Sequence, residues 1–497
     1  MKQPPSPIVQ TADGPVMGTV TDTISTFLGI PYAAPPVGDL RWMPPQAPTP
    51  WTTPLDATEF GSRCPQGGRT DEDCLFLNVY VPTKALEHAR SHRYPVMFWV
   101  HGGGYIEGAG GDEDPSRLVT QGNVIVVTIN YRLGALGFLA HPALSAESSY
   151  GGSGNYGIMD QQFAMRWVQQ NIAAFGGNPK NVTIFGESAG GNAMFVNLVS
   201  PTAAGLFRRL IAESGSYEPI LPTLAEAEAD GQTFAGMVGC PDQTAACLRA
   251  VPVSTVLANQ AAIGVPYLLG MVATPNLDGN VLTQSIDTAL SNGQFNRVPV
   301  IDGTNHDEVR VFIATIFDLG VGALTAPELP GLAGIFFGSN APAVLAEYPL
   351  SDSLSPDLVA ATSLTDYVFS CQALYADQEL AKFTPTHAYE FSDENAPSGY
   401  PPVSFPYGAS HAFELQYLFG ATPNPAFTPE QVELSAAMIR AWTKFAKNGN
   451  PGAGWKPLNR SGDGFFESLV PPQPIHEAVS AFSADHKCSF WQSIPGF

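Results

Sequence analysis

Residues Phe185 to Gly191 read F-G-E-S-A-G-G and contain a Gly-x-Ser-x-Gly pentapeptide centred on Ser188. The apolar run Val182–Phe185 precedes it and a helical run, 192–199, follows, so the spacing predicts strand, sharp turn and helix. A serine on such a turn stands clear of the backbone as a nucleophile, and the helix N-terminus favours negative charge developing above it. Gly186 and Gly190 suit the turn because a Cβ at either would clash between the arriving strand and the departing helix. A serine nucleophile needs a base, and the base needs an orienting carboxylate. Nine histidines compete for the first role. His88, His92, His101 and His141 precede the serine, His306 lies beside candidate acids, His387 sits within a strand, and His476 and His486 fall in the C-terminal tail. His411 alone ends a long loop after a late strand, where a base can reach the serine. The stretch D-G-T-N-H-D-E, 302–308, places several carboxylates just beyond the strand Val298–Ile301 and leaves the acid open among them. His101-Gly102-Gly103-Gly104-Tyr105 follows the apolar run Pro95–Val100, and three glycines there let backbone N–H groups turn toward one point, as an oxyanion hole requires. This is the chemistry of acyl transfer.

These residues need a frame. Pro95–Val100 and Val124–Ile129 are nearly all apolar, as expected of strands buried on both faces. Val16–Leu28 reads as an N-terminal hairpin and Leu75–Val81 as a further strand, while the proline-rich stretch Gly29–Trp42 reads as a stiff extended loop. Met159–Ile172 has helical spacing, Arg209–Ser216 is another strand, and His387–Phe391 a late one. Strand and helix alternate through Ser188, which predicts a mostly parallel sheet covered by helices. Residues 221–295 read as helical and loop-rich, and 320–365 as a cap or helical insertion. Glu430–Lys447 reads as an amphipathic helix with Thr428 as N-cap, Pro429 at its first position and Gly449 as its stop. Arg132 and Asp160 are charges in apolar, glycine-rich surroundings and read as a structural ion pair. With no repeat, linker or low-complexity block, residues 1–497 read as one domain.

Composition narrows the partners. Hydrophobic residues make up 44% and charged residues 14% of the chain, so it builds a core. Its formal charge of −22, from 45 acidic and 23 basic residues, disfavours nucleic acid, whose phosphates need clustered cations. No apolar run approaches a membrane span, and the N-terminal residues 1–7 lack the apolar centre of a signal peptide. The six cysteines, Cys64, Cys74, Cys240, Cys247, Cys371 and Cys488, form no Cys-x-x-Cys pair and have no histidine at zinc-like spacing, so no metal site is expected. Six cysteines allow fifteen pairings. Local pairs between Cys64 and Cys74 and between Cys240 and Cys247 would close short loops, which favours an oxidising compartment: a secreted or periplasmic protein without its leader.

The chain resembles the type-B carboxylesterases, the family that includes cholinesterases, bacterial para-nitrobenzyl esterases and fungal lipases. Stretches carrying the resemblance include G-I-P-Y-A-A-P-P-V-G-D-L-R-W, E-D-C-L-F-L-N-V-Y-V-P, H-G-G-G-Y, N-Y-R-L-G-A-L-G-F-L, F-G-E-S-A-G-G, G-T-N-H-D-E and G-A-S-H-A-F-E-L-Q-Y-L-F-G, in family order along nearly the whole chain. The resemblance implies an α/β-hydrolase fold, with a large, mostly parallel central sheet flanked by helices and carrying cap insertions. It implies a serine carboxylic-ester hydrolase that works through an acyl-enzyme intermediate on a small-molecule ester, without cofactor or metal. By the matching motifs Ser188 is the nucleophile, Glu308 the acid and His411 the base; Gly103, Gly104 and Ala189 supply the oxyanion hole, and Ser214 hydrogen-bonds close to the triad. The same match pairs Cys64 with Cys74, Cys240 with Cys247 and Cys371 with Cys488, and Arg41 with Glu72 as a second structural ion pair. The chain departs from the family twice. Val309 and Arg310 follow Glu308 where glycine is usual, and the short span between Cys64 and Cys74 lacks the choline-binding tryptophan of cholinesterases.

Overall fold

The computed structural model describes residues 6–87, 93–217, 220–267, 270–351, 354–452 and 454–495. Its frame is an 11-stranded sheet. In spatial order the strands are Ile475–Ala478, Phe465–Leu469, Thr386–Phe391, Val300–Asn305, Arg209–Glu213, Gly177–Glu187, Tyr94–Val100, Ile125–Ile129, Phe76–Pro82, Ile24–Pro31 and Thr19–Val20. From Ile125–Ile129 across to Phe465–Leu469 every neighbouring pair is parallel, and antiparallel strands close both edges. The strand Tyr94–Val100 shows why its sequence is unbroken in apolar character. Val96, Phe98 and Val100 enter the hydrophobic cluster on one face, while Met97 and Trp99 enter the cluster on the other.

Most expected elements are present, with shifted ends. The N-terminal hairpin forms, pairing Thr19 with Thr26 and Val20 with Ser25. The proline-rich stretch is less irregular than expected: Gly29–Pro31 continue the strand, and Gly38–Leu40 make a 3-10 turn. The strand expected at Val298–Ile301 instead covers Val300–Asn305, because parallel pairing with Thr386–Phe391 continues it to Asn305. The helix Pro429–Asn448 has a capping box between Thr428 and Gln431, and ends at Gly449 with φ 80°. The acid-bearing and base-bearing turns both lie at the carboxyl ends of parallel strands, where such sheets bind ligands.

Two findings go beyond the sequence reading. The C-terminal tail is built into the fold: an antiparallel pair, Phe465–Leu469 with Ile475–Ala478, finishes the sheet, and helices Val479–Asp485 and Cys488–Ser493 follow. The cap contains Leu329–Glu347, a stretch of 19 residues whose mean hydropathy of 1.3 reaches that of a membrane-crossing helix by length and composition. It comprises two helices, Leu329–Phe337 and Ala341–Glu347, separated by a 3-10 turn. Leu329, Ala333 and Phe337 of the first are buried, as are Ala341 and Val344 of the second.

All six cysteines are paired, Cys64 with Cys74, Cys240 with Cys247 and Cys371 with Cys488. Both expected ion pairs form. Arg132 reaches Asp160 through Nε and a terminal nitrogen at 2.7 Å each, with both side chains buried. Arg41 similarly grips both Glu72 oxygens.

Candidate active site

Ser188 ends the strand Gly177–Glu187 and opens the helix Ala189–Val199, at φ 55° and ψ −123°. A positive φ strains a residue with a Cβ, so the turn must be held from outside. The Ser188 N–H donates to the Glu213 carbonyl at 2.9 Å, and Asn192 N–H donates to the Ser188 carbonyl at 2.8 Å. A Cβ on Gly190 would collide with the Val100 carbonyl, and one on Gly186 with the carbonyls of Gly190 and Val100. Close backbone approach is therefore the reason for both glycines.

Beside the elbow, His101–Tyr105 turns away from the strand Tyr94–Val100 with Gly103 at φ 97° and Gly104 at φ 60°. The Tyr105 hydroxyl donates to Asn192 Oδ1 at 2.9 Å, tying this loop to the helix that starts at Ala189. His101 stacks on Tyr131 with centroids 4.5 Å apart. Burial lowers its pKa to about 4, so it is a neutral structural ring.

His411 is buried, and the rings of Phe312 and Phe369 pack against it at centroid distances of 5.0 and 5.2 Å. Its Nδ1 is 2.5 Å from Glu308 Oε2. Glu308 Oε1 also accepts from the Thr304 hydroxyl at 2.9 Å and the Asn305 N–H at 2.8 Å, so the extra strand residues are what orient this carboxylate. Asp307 and Glu308 lie in a turn rather than an extended segment, yet their side chains diverge. Asp307 ion-pairs with Arg310 at 2.8 Å and accepts the Ala409 N–H at 2.9 Å, while Glu308 takes the imidazole. Arg310, which departs from the family pattern, thus finds its partner within the same turn.

Sequence reasoning missed the carboxylates around the base. His411 Nε2 lies 3.1 Å from Glu187 Oε1, on the residue just before Ser188. Glu414 is buried nearby, Asn305 Nδ2 donating to its Oε2 at 2.5 Å, and buried Glu213 accepts from Trp442 Nε1 at 2.8 Å. The available signal was an acidic residue inside each catalytic motif, F-G-E-S and H-A-F-E. Burial pushes Glu187 and Glu213 well above the usual carboxylate range and Glu414 to about 7. Burial alone would lower the His411 pKa, but the charges of Glu187 and Glu308 outweigh it and raise the value to about 9.

Ser214 is buried at φ 51°, its N–H donating to the Gly303 carbonyl at 2.8 Å. Its hydroxyl has no hydrogen-bond partner among the described residues, so it holds the frame through its backbone rather than through the expected side-chain bond. His88 and His92 lie outside the described residues.

A parallel sheet with a serine elbow, a glycine loop beside it and a histidine–glutamate pair over its carboxyl edge defines an α/β-hydrolase, and the class of serine carboxylic-ester hydrolases. The carboxylesterase family model matches residues 5–322 and 351–491. The chain is 35% identical over 492 residues to the fumonisin B1 esterase of Sphingopyxis macrogoltabida, covering 92% of this chain and 86% of that protein. It is also 35% identical over 467 residues to the para-nitrobenzyl esterase of Bacillus subtilis (strain 168), covering 89% and 90%. A solved PNB esterase structure superposes with a TM-score of 0.81 at 32% identity, covering 97% of this chain and 99% of that one. The chain belongs to the carboxylesterase family and is a serine carboxylic-ester hydrolase; a Ser-His-Glu triad is typical of that family. Its three disulfides suggest an extracytoplasmic location.

Proposed function

We propose that Ser188, His411 and Glu308 form the triad of this esterase within one catalytic domain, residues 1–497. The observation that carries this reading is the Nδ1 contact of His411 with a Glu308 whose other oxygen is held by Thr304 and Asn305, while His411 Nε2 lies 3.1 Å from Glu187, the neighbour of a serine strained into the elbow conformation. His411 takes the Ser188 proton as the hydroxyl attacks the ester carbonyl. The N–H groups of Gly103, Gly104 and Ala189 hold the resulting oxyanion, each donor contributing ~3 kcal/mol or more to the transition state. His411 then protonates the leaving alcohol, and water repeats the steps on the acyl-enzyme. Glu308 keeps the imidazole oriented and stabilises the imidazolium. Ser214 acts as a backbone support of the elbow.

The substrate class is a small-molecule carboxylic ester. Residues 65–73, between Cys64 and Cys74, contain no aromatic side chain to face a quaternary ammonium, which favours non-choline esters. We place the protein outside the cytosol, secreted or periplasmic, on the strength of its disulfides.

The test is labelling with an organophosphate followed by peptide mass spectrometry, alongside turnover of para-nitrophenyl esters of graded acyl length. One adduct on Ser188 and complete loss of turnover are expected. An adduct elsewhere, or turnover surviving full Ser188 modification, overturns the assignment. Comparing an ester with the matching anilide then separates esterase from amidase chemistry.

A further inference from the structure

A second histidine–carboxylate constellation lies on the far side of the acid turn. His306, next to Asp307 and Glu308, meets Asp485 and His486, the last residue and the C-cap of the tail helix Val479–Asp485. One potential ligand atom from each of the three lies within 4.8 Å of the other two. His306 Nε2 is 3.2 Å from Asp485 Oδ2, and His486 Nε2 is 2.6 Å from Glu390 Oε1. The Nδ1 atoms face different carboxylates: His306 bonds Asp307 Oδ1 at 3.0 Å, and His486 bonds Asp366 Oδ1 at 2.6 Å. In both rings Nδ1 is anchored by an outer carboxylate, as in metal-ligating histidines, while Nε2 faces a second carboxylate, Asp485 or Glu390.

A cavity of about 140 Å³ is lined by His306, Asp307, Arg310, Asp366, Asp485 and His486, among others. Asp485 is 60% exposed and His306 28%, which provides an entry path, whereas His486 is buried. Arg310 is engaged by Asp307, which leaves the carboxylates of Asp366, Glu390 and Asp485 facing two imidazoles. The field favours a cation. The disulfide from Cys371 to Cys488 and the contact of Cys371 Sγ with the His486 carbonyl at 3.3 Å hold the buried ligand in place.

We propose that His306, His486 and Asp485 bind a divalent transition-metal cation of the zinc type. Two imidazoles and one carboxylate are a ligand set suited to such an ion and leave its fourth tetrahedral position to water. Tetrahedral coordination brings ligand atoms to about 3.4 Å apart. The remaining closure of roughly an ångström falls on the exposed Asp485, since His486 is anchored. The bound ion braces the turn His306–Arg310, which carries Glu308. Counting Cys and His spacings along the chain does not reveal this set, because His306 and Asp485 are 179 residues apart.

The experiment uses the full-length protein, stripped with EDTA, dialysed and titrated calorimetrically with Zn²⁺ and spectroscopically with Co²⁺. One equivalent per chain, ligand-field bands from Co²⁺, and a Tm that rises with Zn²⁺ are expected. The double variant His306→Asn/Asp485→Asn should lose at least about 100-fold in affinity and the Tm response, and Asp366→Asn about 10–100-fold in affinity. If Asp366→Asn does not fold, Asp485→Asn alone, at an exposed position, serves as the comparison. No stoichiometric binding to the wild type, or binding equally tight in the double variant, overturns the proposal.

Discussion

His411 and His486 are both buried imidazoles with Nδ1 about 2.5 Å from a carboxylate, yet only one stands at the elbow. The difference lies at Nε2. At His411 that nitrogen lies 3.1 Å from Glu187 Oε1, on the residue just before the strained Ser188. At His486 it meets Glu390 at 2.6 Å, and His306 stands beside it with ring centroids 5.4 Å apart. A histidine–carboxylate pair therefore does not define a catalytic site by itself. What faces the second nitrogen decides whether the pair passes protons to a substrate or holds a positive charge in place.

The largest effect should come from removing what His411 serves. Ser188→Ala should lower kcat by about a million-fold while leaving the fold intact, and a folded variant retaining a few per cent of activity would reassign the nucleophile. Next is the carboxylate behind the ring. Glu308→Gln should lower kcat by up to about 10⁴-fold, because the imidazole loses its orientation and the imidazolium its counter-charge.

Glu187→Gln sharpens the comparison at Nε2. Only neutral imidazole acts as base, and the Glu187 and Glu308 charges raise the His411 pKa to about 9, so wild-type kcat/KM should fall as pH drops below about 9. Removing the Glu187 charge withdraws the largest of the raising influences, which also include Glu308 and Glu414, and should move this acid limb to lower pH. A limb that stays in place would show that Glu187 does not share its charge with the base. The smallest change is expected at the border of the two constellations. Asp307 is held below the usual carboxylate range because bonding to His306 and the charge of Arg310 outweigh its burial. Asp307→Asn should change kcat by less than about tenfold, and the reverse ranking of Asp307 and Glu308 would move the acid by one residue.

Local patterns account for what the sequence alone determined. The elbow, the buried strands and the helix Pro429–Asn448 were legible because each depends on nearest neighbours: alternating burial, a cap, or a glycine where two backbones approach. The histidine at the end of a long loop was legible from chain order, and Glu308 from a motif shared with a family. Residues brought together across long separations were not legible. Thr304 and Asn305 orient Glu308 only because pairing with the strand Thr386–Phe391 continues Val300–Asn305 that far. Glu187 gains its contact with His411 only when the elbow and a loop more than two hundred residues later fold together. The tail, with two histidines that gave no signal by position, finishes the sheet and delivers His486 to His306 beneath the Cys371–Cys488 bridge. Sequence periodicity records how a residue sits relative to its own strand or helix, whereas burial of a charge depends on which distant segments exclude water around it. The tertiary structure therefore decided which carboxylates share a site with which imidazole.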